Sequence, residues 1–431
     1  MSIWYPFTQM ADLADYPILE IVKGDGHYLV AKDGSRYFDG ISSLWTNVHG
    51  HCHPYLNQKI KEQVDQICHS TLLGLTHNRA EELARKLAKL VPGDLDKVFY
   101  SDSGSTAVEI ALKQSFQYWK LSGKAGKNKF IKLENSYHGD TLGAVTVGGI
   151  PVFHHVFGPL LQNSYTVPCP VIGPANTNNT AEALSALEAI LKEHHEEISA
   201  LIMEPSVLGA GGILTIPKGF LKQAAELVER YDVHLILDEV ATGFGRTGYM
   251  FACEEEGVVP DFLCLGKGIS GGYLPLAATI TNSNVFEMFL GQDGGTRTFF
   301  HGHTYTGNPL ACAAGLASLE LFEKEKTLKN VQARSVDMSE VLEPLRSHKH
   351  VSSIRQKGLM CGVELVEKRD GLKPFDADQK VGRRIALQAR KHGVILRNLG
   401  DVIVLMPPLS CTADEVSMLC NALTKSISDV L

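Results

Sequence analysis

The chain has 431 residues, 44% apolar and 21% charged, with a formal net charge of −7 and nine dispersed cysteines. That length suits two domains with substantial cores, and a negative charge without a basic cluster argues against nucleic acid or an anionic membrane surface as partner. The odd cysteine count without a C-x-x-C pair indicates the reduced thiols of a cytoplasmic protein; no apolar stretch reaches membrane-spanning length, and MSIWYPFTQM lacks the pattern of a signal peptide.

Residues 1–55 are rich in aromatics and turn residues, with strands predicted at His27–Ala31 and Tyr37–Phe38 around the Asp33-Gly34 turn. They read as an arm and a small meander packed on something larger. From 56 to 310 the pattern alternates. Ala80, Leu83, Leu87, Leu90 and Val91 form one helical face. Strand Val98–Tyr100 runs into SDSGS and a helix over Thr106–Trp119, and strand Phe130–Leu133 runs into NSYHGD. A helix over Ala181–Leu191 precedes strand Ala200–Met203, which ends at Glu204-Pro205. A further helix, Leu221–Tyr231, leads to His234–Leu237, which ends at Asp238-Glu239. Phe262–Leu265 ends at Gly266-Lys267-Gly268. Alternating strands and helices, with polar residues at each strand exit, predict an α/β fold whose mostly parallel sheet is covered by helices in a large domain. Residues 311–431 change character, after a helix over Pro309–Phe322. Strands Ser352–Arg355, Met360–Leu365 and Val402–Leu405, with a helix over Gln379–His392, suggest a smaller α+β domain.

Open α/β sheets place their chemistry beyond the carboxyl ends of their strands, where both Asp238 and Lys267 fall. An acid and a lysine on separate strand ends suit pyridoxal 5′-phosphate. The lysine would hold the cofactor as a Schiff base and the acid would pair with its protonated ring nitrogen. The bland reading is a turn-capping acid and a solvated lysine. Against it, Lys267 follows four apolar residues and is flanked by glycines that permit close approach. Ser103-Gly104-Ser105 could cradle a phosphate on free amides at a helix start, or Ser103 could simply cap that helix; a cofactor bearing a phosphate favours binding. Tyr137 could stack on a flat ring or pack in the core. Glu204 is either structural or close to the cofactor. Gly243–Gly248 matches G-x-G-x-x-G, but only a short helix could follow, which argues against a dinucleotide. His49, His51 and His53, and likewise His301 and His303, read as turns, so no metal is expected.

Taken in order, SDSGS, YHGDT, Glu204-Pro205, LDEVATGFGRTG, CLGKGISGG and HTYTGNPLACAA make the chain resemble a class-III (fold type I) aminotransferase over nearly its whole length. IWYPFTQM, DGISSLWTNVHGHCHP, GLTH at 74–77 and ILRNLGDVIVLMPP resemble the branch that converts 8-amino-7-oxononanoate to 7,8-diaminononanoate in biotin synthesis. An ω-aminotransferase acting on 4-aminobutyrate or ornithine shares the cofactor residues and is the alternative. The resemblance implies that Lys267 carries the cofactor and shuttles a proton, and that Asp238 keeps the ring nitrogen protonated. It implies that Tyr137 stacks on the ring and Glu204 sits near its edge. Gly104 and Ser105 would bind the phosphate, joined by Thr304 of a second subunit with His303 beside it. Arg397 would bind the substrate's tail carboxylate, a bidentate task suited to arginine, with Arg246 a second candidate near the same pocket. Phe7, Trp45, Asp140 and Gly302 complete the substrate-binding set. The family works as a homodimer with shared active sites. Relatives that use S-adenosylmethionine as amino donor usually carry tyrosine at Phe7, paired tryptophans at Leu44-Trp45 and often tyrosine at Val404. The missing aromatic faces favour a lysine donor, since such faces attract cations and stack on bases.

Overall fold

A seven-stranded sheet carries the chain's chemistry. The structure is a computed structural model describing residues 2–14, 16, 18–171, 178–292 and 294–431. The strands are β1 (Leu95–Ser101), β2 (Lys129–Leu133), β3 (Ser164–Val167), β4 (Ile198–Met203), β5 (His234–Asp238), β6 (Phe262–Leu265) and β7 (Ala277–Asn282), ordered β1-β7-β6-β5-β4-β2-β3. All pairings are parallel except those of β7, which is antiparallel to both β6 and β1. The sheet is therefore mostly parallel and helix-covered, as expected. Its reversed strand is one that the strand–helix rhythm passes over, because it enters without a crossover helix.

Both faces of the sheet are buried, and side chains alternate between them. Ile236, Phe262 and Cys264 point to a core shared with Ala107, Val108 and Ala111 of the helix Gly104–Leu121. Leu235, Leu237, Leu263 and Leu265 point the other way, into the largest core, with Phe220, Leu221, Ala224 and Val228 of the helix Phe220–Arg230. Burial on two sides explains why these strands read as unbroken apolar runs.

Residues 21–39 form a three-stranded antiparallel meander whose last strand, Arg36–Asp39, pairs in parallel with Val394–Ile395. A second, antiparallel sheet joins Val351–Lys357, Met360–Leu365, Val402–Leu405 and Arg397–Leu399. The helix expected over Gln379–His392 is broken. An α-helix spans only Val381–Gln388, between 3-10 turns at Ala377–Gln379 and Ala389–His392. Lys380 sits at φ +47, which interrupts the right-handed path.

Candidate active site

The registers of β4, β5 and β6 align the ends of three chemistry-bearing strands. Leu237 faces Met203 on one side and Leu263 on the other, so Glu204, Asp238 and Lys267 leave the same edge of the sheet. Ser101 ends β1, and Leu133 of β2 leads to Tyr137, also at this edge.

Asp238 is 4% exposed, and its carboxylate accepts Val240 N–H at 3.0 Å and faces His138 Nδ1 at 2.7 Å. His138 Nε2 is buried and has no partner among the described residues. Spacing alone gives His138 no role within the YHGD stretch; its place next to Tyr137 is the one signal that the sequence offers. Lys267 follows Gly266 at φ +43, a left-handed backbone uncommon for a lysine, with its ammonium 4.7 Å from the Trp45 ring centroid. Burial lowers the Lys267 pKa; Asp238 and Glu204 oppose that shift and Arg246 adds to it. The net effect enlarges the neutral, nucleophilic fraction.

Glu204, 4% exposed, accepts Tyr137 N–H at 3.1 Å on one oxygen and Gly209 N–H at 2.9 Å on the other. Both its oxygens are thus spent on backbone, and burial pushes its carboxyl up to about 7. The Tyr137 hydroxyl donates to Asp140 at 2.8 Å, and burial raises the phenol's pKa well above its ordinary value. Tyr137 also packs against Phe153, which in turn meets Phe7 edge-on at 5.4 Å, although Phe7 itself is 56% exposed.

Ser103 does cap the helix Gly104–Leu121. Its hydroxyl accepts Thr106 N–H, and the Thr106 hydroxyl accepts Ser103 N–H. Capping and anion binding are compatible here, because the cap serves Thr106 while Gly104 and Ser105 at the first two helical positions have no intrahelical partners. The helix start also lies close to the lysine loop. A side chain on Gly104 would collide with Val240, and one on Gly266 would come within 3.4 Å of the Gly104 Cα. Ser105 Oγ in turn accepts Asp140 N–H at 3.3 Å.

Trp45 reaches Lys267 from the end of an unusual turn. Ser42, Ser43, Leu44 and Trp45 have φ values of 50°, 48°, 71° and 69°, a left-handed turn of four non-glycine residues. Such backbone costs about 1–2 kcal/mol per residue. The indole packs with Val207, Val404 and Met406 and lies against Gly209, where an added Cβ would come within 3.1 Å of the ring.

The structure does not gather every expected residue. Arg397, half-buried on the strand Arg397–Leu399, lies within electrostatic reach of Tyr137, and its guanidinium has no hydrogen-bond or ion-pair partner among the described residues. Arg246 is only 3% exposed and donates to Pro407 O at 2.5 Å, with longer contacts to Ser42 Oγ and Asn47 O at 3.4 Å. Its guanidinium is thus engaged by backbone carbonyls, within electrostatic reach of Lys267. Gly302, His303 and Thr304 line a different cavity of about 850 Å³ with His69, Leu72 and Tyr100, a wall that includes neither Lys267 nor Asp238. Of the histidines of the 49–53 stretch, His49 and His53 both approach Glu325, at 3.9 and 3.0 Å, with His49 Nε2 on Ser318, while His51 faces Asp39.

A buried amine with a lowered pKa, a buried acid held by two donors and two helix-start amides share one sheet edge, which fits the donor set of pyridoxal phosphate. Comparison with known proteins agrees. Residues 10–427 match the family model of class-III aminotransferases. The adenosylmethionine-8-amino-7-oxononanoate aminotransferase of Geobacter sulfurreducens is 49% identical over 99% of this chain and 96% of its own length. The crystal structure of the enzyme of that name from Methanocaldococcus jannaschii is 43% identical, with a TM-score of 0.95 over 100% of this chain and 97% of the other. A pyridoxal-phosphate-bound amine transaminase from an uncultivated Pseudomonas species is 36% identical, with a TM-score of 0.94 over 100% of this chain and 99% of the other.

Proposed function

The chain belongs to the class-III aminotransferases, which depend on pyridoxal phosphate, and within that family we propose that it aminates 8-amino-7-oxononanoate to 7,8-diaminononanoate, the step in biotin synthesis. The observation that carries this reading is Arg397, a half-buried guanidinium without a carboxylate partner among the described residues, within electrostatic reach of the Tyr137 phenol. A guanidinium so placed suits the tail carboxylate of a long keto acid, which it can grip by two parallel hydrogen bonds.

Pyridoxal phosphate, once bound, supplies an electrophilic carbon and an electron sink. In our reading Lys267 Nζ would hold the cofactor and, once displaced by the donor amine, would carry the proton from the amine-bearing carbon to the cofactor's C4′. Its lowered pKa keeps enough neutral amine for both tasks. Asp238, oriented by His138 and Val240 N–H, keeps a proton on the cofactor's ring nitrogen. Glu204 acts one step back, fixing the backbone of Tyr137, so that the phenol ring can stack on the cofactor. Gly104 and Ser105 amides bind the phosphate. Gly302, His303 and Thr304 serve the site of a second copy in a homodimer. Their separate groove and the neighbouring exposed side chains Leu73, Phe300 and Tyr305 support that arrangement.

For the donor, the residues and the relatives' names pull apart. The curated relative from Geobacter sulfurreducens has adenosylmethionine in its name. Here position 7 lacks a phenol, Leu44 replaces an aromatic, and Val404 packs as an aliphatic side chain against Trp45. Fewer faces remain for a sulfonium or an adenine, which supports L-lysine.

One experiment tests acceptor and donor together. Cofactor-loaded protein is mixed separately with S-adenosylmethionine, L-lysine and 4-aminobutyrate while the visible cofactor band is followed, and then 8-amino-7-oxononanoate is added. Bleaching by lysine and recovery with the keto acid is the expected result. Bleaching by S-adenosylmethionine at a matching rate removes the lysine assignment. A response to 4-aminobutyrate alone, without recovery, replaces the acceptor assignment with an ω-amine reaction.

A further inference from the structure

The left-handed turn Ser42–Trp45 needs an agent that holds it, since a non-glycine chain leaves that conformation when nothing prevents it. The surroundings supply one principal candidate. Asp39, wholly buried at the end of its strand, accepts Ser43 N–H at 2.9 Å on Oδ1 and Ser43 Oγ–H at 2.7 Å on Oδ2. The same Oδ2 faces His51 Nε2 at 2.9 Å. The tautomer follows from the other side of the ring. The Gly50 N–H donates to Asn47 Oδ1 at 2.7 Å, which orients the Asn47 amide so that its Nδ2 donates to His51 Nδ1 at 3.1 Å. His51 Nε2 therefore carries the proton and donates to Asp39. One carboxylate thus ties the strand before the turn, the turn itself and the segment after it.

We propose that Asp39 is a positioning residue: through Ser43 and His51 it holds the left-handed turn that sets the Trp45 indole against Lys267 and so fixes one wall of the substrate pocket. This rests on the reading of Lys267 as the cofactor-bearing residue. The turn has little freedom on its remaining sides. The Ser42 hydroxyl donates to Met406 O at 2.6 Å, and a Cβ on Gly272, five residues beyond Lys267, would come within 2.9 Å of the Thr46 carbonyl. A turn released from Asp39 would relax toward ordinary backbone at Ser43 and Leu44, the latter 45% exposed, and shift the indole relative to the lysine within the wall of Val207, Val404 and Met406.

The test uses cofactor-loaded full-length protein with Asp39→Asn, and Ser43→Ala as the milder variant should Asp39→Asn fail to fold. Two readouts are taken: the kcat and KM for the acceptor, and the quenching of Trp45 emission by the lysine-bound cofactor, obtained by difference from Trp45→Phe. The expected result is a KM raised by roughly 10-fold or more, kcat changed far less, and quenching diminished. Adding Leu44→Gly, which accepts a left-handed backbone without strain, should recover much of both. Unchanged quenching and KM in either folded variant would overturn the proposal. So would an equal loss in kcat and KM that Leu44→Gly does not recover. Quenching needs no turnover, so a protein inactive on 8-amino-7-oxononanoate would refute the assigned reaction while the quenching still tested the role of Asp39.

Discussion

At the scale of single residues the site depends on charges held where water is scarce, and Glu204 shows the consequence most directly. Its pKa is raised by burial from 4.5 to about 7, although two backbone amides oppose the shift. The folded state therefore binds more protons than the unfolded one between those values. Stability from this group is fully present below pH 4.5 and is lost as pH climbs through 7, by an amount on the order of 3 kcal/mol. Glu204→Gln cannot titrate and offers one acceptor where the wild type has two. The stability gap between wild type and Glu204→Gln should consequently narrow as pH rises from 5 to 8. Denaturant melts of both proteins across that range would measure it, and a gap independent of pH would mean that Glu204 stays ionised in the fold. Lys267 shows the reverse displacement, its pKa lowered by the same desolvation. An acid pushed up and an amine pushed down at one edge are what burial does to opposite charges.

At the scale of elements the helix Gly104–Leu121 divides its tasks between adjacent residues, Ser103 capping and Gly104-Ser105 offering amides. Ser103→Ala should lower stability by about 1 kcal/mol, the usual worth of such a cap, while affinity for pyridoxal phosphate shifts only a few-fold. A drop in affinity well beyond tenfold would make Ser103 a ligand of the phosphate as well. This helix, the strand ends at Glu204, Asp238 and Lys267, and the loop at Tyr137 were legible because each couples an apolar run to a polar exit. Periodicity records that kind of contrast. Strand β7 was not legible, because its AATITN sequence has no such exit and no crossover helix before it. Nothing in Ser42–Trp45 announced a left-handed turn either. No glycine marks it, and its support comes from Asp39 and Met406, one outside the turn and the other 361 residues beyond Trp45. The contacts of Arg246 with backbone carbonyls were not legible for a related reason, since Pro407 and Asn47 lie far from it in the sequence.

At the scale of the whole molecule the open question is where Gly302, His303 and Thr304 act, since their groove excludes Lys267. Sequence motifs cannot say which copy of a chain a residue serves, but a hybrid dimer can. Lys267→Ala should abolish turnover and the visible cofactor band. Thr304→Glu should prevent cofactor binding by placing a carboxylate against the phosphate. Each homodimer is then inactive. In a hybrid of the two, shared sites would combine differently. One would join the altered lysine to the altered Thr304 and stay inactive; the other would join a native Lys267 to a native Thr304 and work normally. The purified hybrid should therefore regain about half the wild-type activity per dimer, with one cofactor bound. If each chain instead completes its own site, both sites in the hybrid carry one defect and activity stays absent. That outcome, with the hybrid shown intact by its mass, would confine Thr304 to the chain that holds Lys267.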